Sequence, residues 1–357
     1  MIVRRAVVVK LGSSTLVDAR GRLRRARIER LCVELQALRD AGTPICVVSS
    51  GAIALGLGTL GGRPRPADVP GLQAASAIGQ GVLLAAWQRA LGRVGGRAAQ
   101  VLLTAGDVHG RTSYLNARAT LETLLRWGVV PVVNENDSTA TDEITFGDND
   151  ALAAQVALLL RARLLVLLTD ADGVYTRDPR DPAAELVREV RDSRLLESLD
   201  TSAPSSSGLG SGGMRSKVVA ASMAAGGGVA CVIASGSRPE SVALAVAGRS
   251  VGTRFHPAEN PLSAWKLWLR YGKPTTGRLI IDDGACTALV EQGASLLPVG
   301  IRAVEGSFRA GDAVRITTTG GDELATGIVD LPAAELRAIA GSRGHGEVVH
   351  RDNLVLH

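Results

Sequence analysis

AVVVKLGSS, residues 6–14, is an apolar run that reaches a lysine and then turns on a glycine and two serines. Such a run, rich in Val and with no polar face, reads as a strand buried on both sides, the kind a parallel sheet uses. Five more runs share its character: PICVVS (44–49), AAQVLL (98–103), GVVPVV (128–133), LLVLLT (164–169) and VACVIA (229–234). Helical spacing separates them. Ile28, Leu31, Cys32, Leu35 and Leu38 recur on one face and stop at Gly42, and residues 72–91 and 115–126 read as helices too. Strand, helix, strand in this rhythm implies right-handed crossovers and an α/β fold, a three-layer αβα sandwich around a mostly parallel sheet.

The rhythm changes near residue 256. We expect a catalytic domain over 1–256, a linker with one short helix over 257–274, and a small β-rich domain over 275–357. In the last, runs such as GRLIIDDGA, AVRITTTGG and ELATGIV alternate between glycines and read as short antiparallel strands, with one helix near 335–341.

Composition narrows the function classes. The net charge of +5 and pI near 9.3 fit a solvated Arg-rich surface without demanding a nucleic acid. The four cysteines, at 32, 46, 231 and 286, are far apart, which excludes a disulfide framework and metal-type spacing. The apolar N-terminal run is too short for a signal peptide, and no stretch reaches roughly eighteen uninterrupted apolar residues. The expectation is a soluble, cytoplasmic protein. Of 40 basic side chains only Lys10, Lys217, Lys266 and Lys273 are lysines. A chain this biased toward arginine keeps lysine where a compact ammonium is needed.

Five segments carry chemistry, and each lies at a strand's carboxyl end or a helix start. Lys10 with Gly12–Ser14 is a phosphate-cradling turn, although it is no GxxxxGK[ST] loop. Ser50 and Gly51, in VVSSGAIALG, sit at a helix N-terminus that can hold a carboxylate or phosphate. VVNENDSTATDEITFGDNDALAAQ is dense in Asp and Asn. Its spacing is wrong for an EF-hand, and it reads either as a capped, solvated loop or as a pocket for a zwitterion. LLVLLTDADGVYTRDP ends a strand at Thr169 and Asp170, facing the crevice that Lys10 faces. GLGSGGMRSKVVAA is a glycine loop leading into a helix that carries Lys217, a phosphate site by its chemistry.

In order along the chain, VVVKLGSS, VVSSGAIALG, TSYLNAR, PVVNENDS, FGDNDALAA, LLTDADGVYTRDP and GLGSGGMRSKV resemble the amino-acid kinase family. Within it they resemble the branch that phosphorylates the side chain of glutamate; GASLLPVGI and HRDNL in the tail resemble a PUA domain. The resemblance covers about residues 4–354. It implies an ATP-dependent kinase that makes L-glutamyl 5-phosphate from L-glutamate, the first step of proline biosynthesis. Lys10 and Lys217 are implied to contact the transferring phosphoryl group, with Asp170 positioning them as a third catalytic residue. ATP is implied to lie along Lys10, Thr169, Asp170, Ser211, Gly212, Gly213, Met214, Arg215, Ser216 and Lys217. Ser50, Gly51, Asn134, Asp137, Asp148, Asn149 and Asp150 are implied to form the acceptor site. The family pattern has threonine at 211 and 216 and a small residue at 215, where this chain has Ser211, Ser216 and Arg215.

The implied chemistry suits the residues. A glutamate carboxylate, with a reference pKa of about 4.3, is ionised at pH 7 and needs no general base. None of the five histidines (109, 256, 345, 350, 357) falls in the seven segments. Mg²⁺ is expected on the nucleotide phosphates, with no protein metal site. The resemblance also implies a homo-oligomer, a dimer or tetramer, and feedback by L-proline. Acetylglutamate, aspartate or carbamate are the rival acceptors. RNA binding by the C-terminal domain is the reading from another class; against it, Arg254, Arg270, Lys273 and Arg278 are scattered with no evident aromatic platform.

Overall fold

The computed structural model describes residues 5–18, 20–104, 106–107, 111–139, 149–191, 213–271, 273 and 275–357. The chain divides into two compact units, Met1–Pro261 and Leu262–His357.

The first unit is built on strands β1 (Val7–Leu11), β2 (Ile45–Ser49), β3 (Ala98–Leu103), β4 (Val130–Glu135), β5 (Leu164–Thr169), β6 (Glu189–Val190), β7 (Ala230–Ser235) and β8 (Thr253–Phe255). They form one sheet in the order β3-β4-β2-β1-β5-β7-β8-β6. The six expected apolar runs are the six strands from β3 to β7 in that order, all parallel to their neighbours. The short β8, antiparallel to β7, and β6 extend one edge and were not anticipated. Strands of two or three residues carry no readable period. β4 also runs two residues past the expected end, so Asn134 and Glu135 are on a buried strand rather than in a loop.

The sheet's inner strands bury nearly everything: Val7, Val8 and Val9, Val47 and Val48, and Leu165, Val166 and Leu167 have no exposed surface. Each such side chain contributes roughly 1.5–3 kcal/mol by leaving water, which replaces the aromatic core this chain lacks. Cys32, Cys46 and Cys231 are packed inside as small apolar groups. Among the described residues, the helix Val69–Gly92 is long and apolar enough to cross a membrane by length and composition. Here one face of it packs into the core: Leu83, Trp87 and Leu91 are buried, and the Trp87 indole donates to Ser49 Oγ at 3.0 Å.

That helix crosses the helix Ala52–Thr59 at backbone contact. A Cβ on Gly56 would stand 1.8 Å from the Ala75 carbonyl oxygen, and one on Gly79 would stand 1.8 Å from the Ala52 carbonyl oxygen. We therefore expect Gly79→Ala to cost about 3 kcal/mol, at the upper end for overpacking, read as a lower urea midpoint. A change under about 0.5 kcal/mol, the range of a surface substitution, would contradict the crossing.

The second unit has strands β9 (Thr275–Ile281), β10 (Ile301–Gly306), β11 (Ala313–Thr318), β12 (Glu323–Ile328) and β13 (Leu354–Leu356), ordered β10-β9-β11-β12-β13. The β9–β11 pair is parallel, a departure from the antiparallel expectation. Between those two strands the chain passes through the helix Asp283–Gln292 and then β10 on the far side of β9, so it returns in the same direction. The Asp282 side chain caps that helix on the Ala285 N–H at 2.9 Å. The helix expected between the domains is Ala264–Tyr271; its Leu269 packs with Ala313, Ile328 and Val355 of this unit. On it, Trp265 and Trp268 lie 4.8 Å apart, and Lys273 Nζ stands 5.2 Å from the Trp268 ring.

Candidate active site

Because β1, β2, β4, β5 and β7 run parallel, their carboxyl ends share one rim. That rim carries Lys10 and Gly12, Ser50 and Gly51, Asp137, Thr169 and Asp170. After β1 the chain moves to β2 on one side, while β5 pairs on the other, so β1 and β5 flank the switch point where open α/β sheets bind ligands.

Lys10 is the penultimate residue of β1, with 4% of its surface exposed. Its Nζ lies 2.5 Å from Asp150 Oδ1. Lys217 is the fourth residue of the helix Met214–Gly226, is 7% exposed, and places its Nζ 3.1 Å from Asp150 Oδ2. Ser216 Oγ stands 2.9 Å from the same Oδ2, with the Gly213 carbonyl at 3.1 Å as its other acceptor. One buried carboxylate thus holds two ammoniums from opposite ends of the unit's sequence. Burial by itself pushes the Asp150 carboxyl up. The Lys10 and Lys217 charges and the hydrogen bonds from Lys10 and Ser216 outweigh this and hold it below the usual carboxylate range. The triad carries a net charge of about +1, directed at a rim where glycine leaves room: a Cβ on Gly12 would sit 3.8 Å from Lys10 Nζ. The N-cap of the Met214–Gly226 helix is Gly213, which brings no capping side chain to the first-turn N–H groups, a place where an anion can bind.

Beside the triad is a neutral cluster. Asn149 Nδ2 donates to Ser50 Oγ at 2.9 Å and to Asn134 Oδ1 at 3.1 Å, and Asn134 Oδ1 also accepts the Glu135 N–H at 2.9 Å. All three side chains are buried. Asn149 Oδ1 has no hydrogen-bond partner among the described residues, a buried acceptor in need of a donor. Asn149 and Asp150 open one helix, where successive side chains point about 100° apart. One therefore serves the neutral cluster and the other the lysines. Gly51 has φ of 102°, a left-handed conformation that suits glycine, and its Cβ would meet Val17 Cγ2 at 3.1 Å.

Two expectations change. Both lysines form ion pairs with Asp150, which the sequence reading placed only in the acceptor pocket. Asp170 stands 3.9 Å from Arg27 Nη1, and Arg27 also donates to Ser237 Oγ at 2.9 Å. Asp170 ends a strand on the correct rim, but a shared rim does not fix a side chain's partner. Asp148, Ser211 and Gly212 lie outside the described residues. Arg215 is exposed.

Sequence reasoning missed Ser76 and Gln80, which belong to the long apolar helix. Ser76 Oγ donates to Asp137 Oδ2 at 2.5 Å, and Gln80 Nε2 donates to the Glu135 carbonyl at 3.2 Å. Their signal was present: two polar residues four apart share one helix face, here on an otherwise apolar stripe. Burial raises the Asp137 carboxyl; the Ser76 hydrogen bond and the Arg65 charge oppose that.

Residues 5–235 match the model of the amino acid kinase family, and residues 277–351 match that of the PUA domain. The chain is 48% identical to the glutamate 5-kinase of Gloeobacter violaceus, over 98% of this chain and 99% of that protein. It is 45% identical to the glutamate 5-kinase of Geobacter metallireducens, over 98% of this chain and 97% of that one. Among solved structures, it is similar in fold to the carbamate kinase from Giardia lamblia bound to AMP-PNP. The TM-score is 0.53 at 18% identity, covering 72% of this chain and 100% of that one.

Proposed function

The chain belongs to the amino acid kinase family and, within it, to the glutamate 5-kinases, and from that membership we infer that it transfers the γ-phosphoryl group of ATP to the side-chain carboxylate of L-glutamate. The product is L-glutamyl 5-phosphate, at the first step of proline biosynthesis. The observation that carries the residue-level reading is the Lys10–Asp150–Lys217 triad, set beside the Ser50–Asn134–Asn149 cluster at the carboxyl rim of the sheet.

A carboxylate oxygen of glutamate attacks the γ-phosphorus, the bond to the β–γ bridging oxygen breaks, and ADP leaves with that oxygen. The attacking group is already ionised, so the obstacle is anion meeting anion. Two unit charges about 4 Å apart repel by roughly 4 kcal/mol at an effective dielectric near 20. Two ammoniums fixed before substrate arrives offset that repulsion and the charge growing on ADP. Phosphoryl transfer draws most of its acceleration from such placement and charge. Mg²⁺ enters with ATP as part of that substrate.

In this reading the neutral cluster and Asp137 hold the amino acid. Asn149 Oδ1 and the Asp137 carboxylate face its α-ammonium, while Ser50, Gly51 and Asn134 order the carboxylate side. Thr169, Asp170 and residues 211–217 lie along the nucleotide. A cytoplasmic homo-oligomer inhibited by L-proline completes the proposal. Exposed Ile78, Val82 and Leu102, on the edge strand β3 and the helix packed beside it, support self-association. RNA binding by the second unit is kept as a secondary activity, supported by Trp268 and Lys273.

Hydroxylamine tests the assignment, since it captures an acyl phosphate as a hydroxamate. With ATP and Mg²⁺ the protein is expected to yield γ-glutamyl hydroxamate from L-glutamate. Hydroxamate from acetylglutamate or aspartate, with none from L-glutamate, would overturn it.

A further inference from the structure

We propose that Ser76 is a positioning residue for substrate selection. Its hydroxyl fixes the Asp137 carboxylate that receives the α-ammonium, and so sets the preference for an amino acid over a diacid lacking the amine. The inference rests on the reading of Asp137 as an ammonium site.

Ser76 sits on the long helix Val69–Gly92, is 1% exposed, and would be costly to bury without a partner. Its partner is a carboxylate rather than a backbone carbonyl of its own helix: Oγ donates to Asp137 Oδ2 at 2.5 Å, across a sequence separation of 61 residues. Asp137 is itself 6% exposed, so water cannot orient it freely. One turn further along the helix, Gln80 Nε2 reaches the Glu135 carbonyl at 3.2 Å, and Gln80 Oε1 accepts from Gln100 Nε2 at 3.0 Å. The same helix face thus grips the 135–137 segment twice, once by its backbone and once by the Asp137 side chain.

The helix cannot shift to make up for a lost grip. Ala75, next to Ser76, has its carbonyl oxygen against Gly56, and Gly79 abuts the Ala52 carbonyl, so the backbone on both sides of Ser76 is pinned at van der Waals distance. Ser76 therefore acts as a fixed donor on a fixed scaffold. Removing one oxygen leaves the helix in place and Asp137 with one fewer restraint. Asp137 also loses a hydrogen bond that favours its charged form, and burial works against that form.

The experiment uses the full chain and three variants, Ser76→Ala, Ser76→Cys and Asp137→Asn. L-Glutamate is the acceptor, and glutarate, the same diacid without the amine, is the competitive inhibitor. Losing a hydrogen bond to a charged group predicts a rise in KM for L-glutamate of roughly tenfold or more in Ser76→Ala. The glutarate inhibition constant, the KM for ATP and the thermal midpoint are expected to stay near those of the parent. The ratio of glutarate Ki to glutamate KM then falls by the same factor. Ser76→Cys, with a weaker donor of similar shape, is expected to lie between. If Asp137→Asn collapses the ratio and Ser76→Ala leaves it unchanged, Ser76 is not the positioning group. If Ser76→Ala weakens glutamate, glutarate and ATP together, its role is structural and the proposal falls. An Asp137→Asn variant with an unchanged ratio overturns the ammonium reading, and this inference with it.

Discussion

Asp150→Asn is expected to lower kcat by roughly 10²–10³, the scale of removing a preorganised electrostatic element, while leaving ATP binding at least as tight. Asparagine has nearly the shape of aspartate but cannot neutralise two ammoniums that now stand 2.5 and 3.1 Å from its oxygens. Lys10 and Lys217 would then repel each other in a site where each is less than a tenth exposed. They relieve that repulsion by swinging apart or by losing a proton, and either response removes the paired charge at the phosphoryl group. Leaving buried charges without their counterion also costs stability, about 3–5 kcal/mol. The sign with pH follows from the depressed Asp150 carboxyl. Its contribution is fully present above its unfolded pKa of about 3.9 and is lost as pH falls through the lower folded value. Parent and variant should thus differ in urea midpoint at pH 7 and converge in acid. ATP with Mg²⁺ supplies new anions to the orphaned lysines and is expected to raise the variant's melting temperature more than the parent's. A variant whose kcat stays within threefold of the parent would show that the carboxylate does not place the lysines.

Lys10→Arg and Lys217→Arg test the same triad from the other side, because the charge is kept and only its shape changes. An ammonium is a compact point; a guanidinium is a planar fork on a longer arm. Lys10 is enclosed between β1, the Gly12 turn and Asp150, and Lys217 has Ser216 and Asp150 at its head. The larger group can pair with Asp150 only by moving the charge away from the phosphoryl path. We expect kcat to fall roughly 10²–10³ in each variant. KM for L-glutamate should change little, since Ser50, Asn134 and Asn149 hold their own hydrogen bonds independently of either lysine. Near-normal turnover in either variant would end the argument that this arginine-rich chain kept lysine there for its size.

Composition alone singles out those two lysines. Four lysines among 40 basic residues marked Lys10 and Lys217 as unusual, and their glycine-rich neighbours marked them as phosphate-facing. The six apolar runs were legible because a strand buried on both faces has no polar positions to disguise it. Ser50 stood out because it directly follows a buried strand, and Asn134 and Asn149 because they belong to a segment dense in Asp and Asn. Ser76 was passed over although Gln80 four residues on shares its helix face, because polar residues in a mostly apolar helix read as tolerated rather than required. Nor were β6 and β8 legible, being too short to show a period.

Asp150 marks the boundary most clearly. The sequence put Asp and Asn of FGDNDALAA at a helix start, and two lysines at a strand end and in a helix after a glycine-rich stretch. Asp170 was an equally good partner for them by position along the chain. Only the tertiary structure shows the pairing with Asp150. Rotation of about 100° from Asn149 to Asp150 on one helix turned the first toward Ser50 and the second toward Lys10 and Lys217, while Asp170 was left beside Arg27. A sequence fixes which side chains reach a rim, since strand ends are local. Which charges pair is set by helix rotation and packing across the sheet, where groups more than sixty residues apart come within hydrogen-bond reach.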